Sequence, residues 1–503
     1  MAEPYLITTA ISYPNGPPHI GHAYEAIAGD AIARFQRAQG KDVRFVGGTD
    51  EHGLKMVQTA RSQGRETIDL ADEMSGYFRK MVDLFDLSYD AFVRTTEPRH
   101  HHASVTLWNA MKAAGDLYLD RYEGWYSVRD EAFYEEEELT QGEGGEKLSP
   151  QGTPVEWTAE ETWFFRLSKY QDRLLQLYRD NPDFIRPESR RNEVMRFVEG
   201  GLKDLSVSRT TFDWGVPVPD SPGHVMYVWV DALTTYMTGV GYPDDREEYD
   251  RYWPADVHLI GKDIVRFHTV YWPAFLMSAN LPLPRQVFGH GFLLSRGEKM
   301  SKSVGNVVDP MELAERFGVD AVRYFFLREV PFGQDGSYNA EAIVNRANAE
   351  LANSFGNLAQ RTLSMVHKNL GGVLPAAGKA AGDTELLRIV TEAADREVPE
   401  AFERFAFSIG IEAWLRAIFA CNQYVDAQAP WTLRKTDPER MAAVLGTLVA
   451  AVRQLTQAIA PIIPTSAARL LAVLAAGEGG APIPQPTPLF PRLELEEEPE
   501  AAA

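Results

Sequence analysis

A single cysteine, Cys421, stands in 503 residues. No internal disulfide can form, and no cysteine-rich zinc site can be assembled. The residue lies in the apolar run Ala417-Ile418-Phe419-Ala420-Cys421 and reads as a small buried hydrophobe. Nothing at the amino terminus resembles a secretory leader, because Met1-Ala2-Glu3-Pro4 offers neither a basic region nor a long apolar core. No apolar run approaches the roughly 20 residues that span a bilayer. These gaps set the expectation of a soluble cytoplasmic protein with no membrane partner. Cations are in deficit as well: 50 Lys and Arg face 71 Asp and Glu, a net charge of −21. That balance does not exclude nucleic acid. Phosphate contacts depend on local cations, and much of the acidic excess lies in runs at Glu135–Glu138, Asp244–Asp250 and Glu494–Glu500. Neither a Walker-type phosphate loop nor a Gly-rich dinucleotide fingerprint occurs, so a nucleotide site would have to be built another way.

What is present is ordinary globular composition, 45% hydrophobic and 24% charged, over a length that suggests about three or four domains. Tyr5–Ile11 is a β-branched run of strand length. The turn Tyr13-Pro14-Asn15-Gly16-Pro17-Pro18 follows, then His19-Ile20-Gly21-His22 at the head of a helical pattern over Ala23–Gln39. Strand, tight loop and helix aim free backbone N–H groups and a partial positive charge at an anion, with two histidines one turn apart. Val43–Gly48 reads as a second buried strand with a polar end, Thr49-Asp50-Glu51-His52-Gly53. Helices over Met56–Arg61, Ile68–Phe85 and His102–Ala114 and a strand at Ala91–Thr95 complete a pattern that predicts a doubly wound, largely parallel sheet. The run Arg99-His100-His101-His102 is no metal site on this reading, since consecutive side chains on a helix splay apart.

From about Asp116 short strand-like pieces, Leu117–Leu119 and Trp125–Val128, and Gly- and Glu-rich loops mark an insertion, with helices expected over Trp163–Arg179 and Glu188–Leu202. The parent pattern resumes at Val225–Trp229, continues with a strand at Val257–Gly261 and a helix at Ile264–Ser278, and reaches a loop at Lys299-Met300-Ser301-Lys302-Ser303. Beyond Asn339 the chain reads as helices over Ala340–Leu370, Thr384–Val398, Arg404–Ala427, Pro438–Ala460 and Thr465–Leu474. The expected division is therefore a Rossmann-like α/β domain in two halves, 1–115 and 225–290, around an inserted connective domain, 116–224. A linking region, 291–338, an all-α bundle, 339–475, and a loop with an acidic tail, 476–503, follow.

His19-Ile20-Gly21-His22 and Lys299-Met300-Ser301-Lys302-Ser303 together resemble the two signatures of class I aminoacyl-tRNA synthetases. Four further stretches are similar to the methionyl branch of that family: Ala10–Gly16, Tyr227–Ala232, Gly261–His268 with Trp272, and Asn357–Arg361 with Ala429-Pro430-Trp431. The resemblance implies methionine and ATP as substrates, Mg²⁺ carried by the ATP, and tRNA(Met) as partner. It implies catalytic roles for His19, His22, Lys299 and Lys302, and ATP contacts at these residues with Gly21, Gly261, Asp263 and Ser301. A methionine pocket would be formed by Ile11, Tyr13, Asp50, Trp229, Ala232, Leu233, Tyr236, Ile264, His268 and Trp272. Anticodon contacts would come from Asn357, Arg361 and Trp431. A thioether gains from aromatic contact, and Asp50 suits an α-ammonium.

Two departures stand out. Where many relatives carry zinc-binding cysteine pairs, Tyr122–Asp130 offers Ser and Asp, so no structural zinc and no other metal ligand set is expected. No appended module follows the bundle, which favours a monomer. A leucine, isoleucine or valine enzyme would need a larger editing insertion. A tRNA-independent nucleotidyltransferase would have no use for the bundle, and an inactive RNA-binding protein no use for both signatures.

Overall fold

The computed structural model describes residues 2–495 except 131, 143, 296–297 and 300–306. Two compact units emerge, one of residues 1–29 and 36–290, the other of residues 30–35 and 291–503.

In the first unit, six strands form an all-parallel sheet: β1 (Pro4–Thr9), β2 (Asp42–Thr49), β3 (Ala91–Arg94), β4 (Ile185–Arg186), β5 (Val257–Gly261) and β6 (Val287–His290). Their order is β3-β2-β1-β5-β6-β4, with Ile7 opposite both Phe45 and Val257. The chain winds outward in one direction from β1 and in the other from β5. That makes the gap beyond their carboxyl ends the crevice in which such sheets bind ligands. Buried β-branched and aromatic residues explain the strands, as in β1, where Leu6 and Ile7 have no exposed surface. Gly48 permits the close approach of β2 to β3, for a Cβ there would stand 1.9 Å from the Val93 carbonyl oxygen.

Helix α1 (Ile20–Ala38) buries its Ala, Ile and Phe face; α2 (Pro98–Ala113) packs against α3 (Val228–Thr238), which packs on β2 and β3. The expected helix over Trp163–Arg179 is corrected. Glu156–Phe165 is a strand, paired antiparallel with Leu117–Ser127 so that Trp163 faces Leu119, and the helix covers only Gln171–Asp180. Pairing with a strand some 40 residues earlier overrode a helical reading of the Trp-Phe-Phe run. Val225–Met226 belongs to a two-stranded antiparallel pair with Ser208–Arg209, and the parallel sheet itself resumes at β5. Ile185–Arg186, within the stretch read as an insertion, supplies the outermost strand.

The second unit is helical. A rod with an α-helical start at Ala340–Arg346, a π-helical middle and α4 (Asn357–Asn369) replaces the expected single helix. It packs with α5 (Phe407–Gln428), the short α6 (Pro430–Thr436) and α7 (Pro438–Ile459). Length and apolarity alone would let α7 cross a membrane, but Leu445, Leu448, Val452 and Leu455 are buried in the bundle. Arg323 has no exposed surface and is bound to Asp30 at 2.7 Å and to the carbonyls of Pro461 and Ile462 at 3.0 Å.

Candidate active site

The crevice begins at the head of α1. The Gly21 N–H donates to His19 Nδ1 and the His19 N–H to His22 Nδ1, both at 3.1 Å, so Nε2 is the protonated nitrogen of each ring. The two rings lie 3.8 Å apart, and a Cβ on Gly21 would stand 2.8 Å from the His19 ring. Glycine is therefore required for this cap. Three residues past His22, Glu25 accepts a bond from His290 at the end of β6, 2.7 Å away. Burial pushes the Glu25 carboxyl up despite that bond.

Next to it, the turn after β2 is tied on several sides. The Asp50 N–H donates to the Ser12 carbonyl at 2.8 Å, and the Trp214 indole donates to the Glu51 carbonyl at 2.7 Å. Thr49, Thr96 and Arg94 all donate to the Glu51 carboxylate. On β5, Gly261 leaves room for Asp263, whose Oδ1 would lie 2.7 Å from an added Cβ.

Between these elements lies an aromatic cluster. Trp229 stacks on Phe267 with centroids 3.9 Å apart and meets His268 edge-on at 5.9 Å. The His268 Nδ1–H donates to the Ile264 carbonyl at 2.9 Å, which leaves Nε2 to accept the Tyr236 hydroxyl proton at 2.6 Å. Burial pushes the His268 imidazole down to about 4, so it is neutral near pH 7. The Tyr236 phenol is pushed well up, by burial first and then by the carboxylates of Glu25 and Asp50. Phe267–Tyr271 form a π-helical turn, a form frequent at functional sites. The result is an apolar, uncharged wall beside carboxylates, suited to an amino acid with an apolar side chain and a free ammonium.

Of the residues expected to line this pocket, Trp229, Tyr236, Ile264 and His268 are joined by direct contacts. Ile11 and Tyr13 flank Ser12 on the loop that holds Asp50. Leu233 and Trp272, like His268, have no exposed surface and Ala232 almost none, and the Trp272 indole donates to His258. Lys299 is described only along its backbone, paired with Leu294, and Ser301 and Lys302 lie outside the described residues. The sequence reading missed Phe267, Glu25, His290 and the histidine–aspartate cluster of His52, Asp231 and His100. For Glu25 the helical spacing from His22 was the available signal. For the others only the fold supplied one. In the run His100–His102, the ring of His102 turns away to Asp244, whereas His100 bonds Asp231 and His101 lies near His52, which bonds that same carboxylate.

In the helical unit, Asn357 and Arg361 are one turn apart on α4, and the Arg361 guanidinium lies 5.6 Å from the centre of the Trp431 ring. Ala429, at φ 41°, breaks the chain between α5 and α6, and Trp431 remains 46% exposed just beyond it.

Residues 5–363 match the family model "tRNA synthetases class I (M)", and residues 374–487 match "Anticodon binding domain of methionyl tRNA ligase". The methionine–tRNA ligase of Brucella melitensis is 56% identical, covering 97% of this chain and 98% of its own. This chain belongs to the methionyl-tRNA synthetase family. The Mycobacterium bovis methionine–tRNA ligase is 54% identical over 99% of both chains. A Mycobacterium tuberculosis methionyl-tRNA synthetase solved with methionyl-adenylate superposes with a TM-score of 0.94, at 55% identity, over 97% of this chain and all of that one.

In this synthetase chain the region around Tyr122–Asp130, where no zinc was expected, is tied by hydroxyls. The Ser149 and Thr153 hydroxyls donate to Asp130 Oδ2 at 2.5 and 2.6 Å, the Tyr134 hydroxyl donates to it at 3.0 Å, and Ser127 pairs with Thr153 at 2.6 Å. Ser127, Ser149 and Thr153 are buried, and Tyr126 packs against Phe133. A carboxylate and hydroxyls already bonded to one another suit a hydrogen-bonded centre better than a thiolate-seeking ion.

Proposed function

We propose that this chain activates L-methionine with ATP and transfers the methionyl group to the 3′ end of tRNA(Met). The observation that carries the reading is the neutral His268, fixed between Tyr236 and Ile264 beneath Trp229, in the crevice beside the His19–His22 helix start. A carboxylate oxygen of methionine attacks the α-phosphorus of ATP. The bond to the β-phosphate breaks, and pyrophosphate leaves. A hydroxyl of the terminal tRNA ribose then attacks the acyl carbon and AMP departs.

Asp50 takes the α-ammonium, and Ile11, Tyr13, Trp229 and His268 enclose the side chain, with Ala232, Leu233, Tyr236, Ile264 and Trp272 holding those walls. His19, Gly21 and His22 receive the phosphates, which arrive as the Mg²⁺ complex. Gly261 and Asp263 take the adenosine, and Lys299, Ser301 and Lys302 meet the charge that develops on pyrophosphate. Positioning and charge stabilisation carry the rate, since the protein forms no covalent bond. Asn357, Arg361 and Trp431 read the anticodon. We assign catalysis to residues 1–115 and 225–290 and the inserted connective domain to 116–224, with Ile185–Arg186 lent to the sheet. Residues 291–338 link, 339–475 bind the anticodon and 476–503 form the tail. The enzyme works in the cytoplasm as a monomer.

The test is exchange of labelled pyrophosphate into ATP with each amino acid in turn. Methionine should support it strongly. A hydrophobic pocket separates side chains differing by one methylene by only ~1–3 kcal/mol, so norleucine and homocysteine should support it weakly. Strong exchange with leucine or valine and none with methionine would overturn the assignment.

A further inference from the structure

Asp231 lies on α3 one residue before Ala232 and has 1% of its surface exposed. Its two carboxylate oxygens are divided between two buried rings, His52 Nδ1 at 2.5 Å and His100 Nε2 at 2.6 Å. Burial opposes its ionisation, yet the flanking imidazoles, His52 foremost, hold the carboxyl well below the usual range. Each ring belongs to a different element: His52 to the turn after β2, two residues from Asp50, and His100 to α2, where its Nδ1 also meets the Thr238 hydroxyl at 3.0 Å. His52 is 3% exposed and His100 not at all, and a nitrogen of each ring is engaged by Asp231.

We propose that His52, Asp231 and His100 form a positioning bridge that holds the Asp50 turn in register with α3, and so sets methionine affinity without touching methionine. The proposal rests on the assignment of Asp50 to the ammonium. Other ties of this turn run to the segment after β1, to the end of β3 and just beyond it, to the helix at Thr67–Leu84 and to Trp214: Ser12 to the Asp50 amide, Arg94 and Thr96 to Glu51, Ser75 to Thr49, and the Trp214 indole to the Glu51 carbonyl. Asp231 is a polar link between the turn and the helix that carries Trp229 and Tyr236. Losing it lets the ammonium contact and the side-chain wall shift against each other. Such small misplacements are costly because both ends of a bound amino acid must be met at once.

Methionine-dependent pyrophosphate exchange of the full chain separates this from a merely structural role. Asp231→Asn and His52→Leu should each raise the methionine KM by about tenfold while the ATP KM and kcat stay within about twofold. His52→Asn, which keeps an N–H near the place of Nδ1, should recover most of the methionine affinity lost in His52→Leu. An unchanged methionine KM in both Asp231→Asn and His52→Leu would overturn the bridge, as would a joint rise of the methionine and ATP KM in step with a falling Tm. If Asp231→Asn does not fold, the His52→Leu and His52→Asn pair decides. Asp50→Asn distinguishes the two levels: an unchanged methionine KM there sinks the ammonium assignment itself, whereas a raised KM with Asp231→Asn at wild-type values sinks only the bridge.

Discussion

His268 is neutral because the fold leaves it no room to be otherwise. Its Nδ1 proton is committed to the Ile264 carbonyl, and its Nε2 lone pair is committed to the Tyr236 hydroxyl. A second proton would sit in an apolar wall opposite a hydroxyl that is itself donating. Burial lowers the imidazole to about 4 from an ordinary value of 6.5. The unfolded chain therefore binds the proton first as pH falls. The stability tied to the neutral ring is complete above pH 6.5 and lost progressively between pH 6.5 and 4. By that linkage the loss is on the order of 3 kcal/mol. His268→Gln keeps an acceptor but does not titrate, so its Tm should fall less steeply than that of wild type across this window. Parallel Tm–pH curves for the two proteins would show that the ring carries no such linkage.

At the scale of elements, the strand-rich region around Asp130 joins a small polar centre to a small apolar cluster of Ala132, Tyr134 and Val155. Three hydroxyls converge on one carboxylate oxygen, and hydrogen bonds to a charged group are worth ~1.5–3 kcal/mol each. Asp130→Ala should therefore strip hydrogen-exchange protection from the strands at 117–127 and 156–165 while protection in β1 and β5 stays at wild-type values. EDTA should change neither that protection nor the Tm, because these side chains satisfy one another. Elemental analysis finding about one tightly held zinc per chain, with protection lost on chelation, would contradict this account. The π-helical turn at Phe267–Tyr271 belongs to the same scale. It places Phe267 against Trp229 and His268 against Tyr236, so that two rings of a segment whose sequence reads as plain helix meet two rings of α3.

For the whole molecule, the question is whether the helical unit serves tRNA and leaves activation alone. Trp431 is nearly half exposed, with a guanidinium over its ring, which is unlike a residue that fills a bundle. Unstacked RNA bases bind aromatic and guanidinium planes, at ~1–3 kcal/mol per stacked base. Trp431→Ala should lower tRNA charging by about one to two orders of magnitude, the equivalent of that stacking energy. Pyrophosphate exchange and the Tm should remain near wild type. A matching decline in all three measurements would make Trp431 a packing residue.

Local features of the sequence sufficed for β1, β2, β3 and β5, the head of α1 and the helical second half. Strand length, β-branching, Pro–Gly turns and the 3.6-residue period are written in neighbouring residues, and so are the two signature motifs. Three things were not local. The strand at Glu156–Phe165 exists because it pairs with Leu117–Ser127, a partner that residue order does not reveal. The outermost strand, Ile185–Arg186, has only two residues, and its state is decided by β6 beside it. Within the site, Asp50, Trp229 and His268 could be singled out by type and motif. That His268 is neutral, that Leu233 and Trp272 are fully buried, and that Asp231 joins His52 to His100 across 179 and 131 residues are facts of packing. Protonation and hydrogen-bond pairing depend on which groups are removed from water together, and only the folded chain decides that.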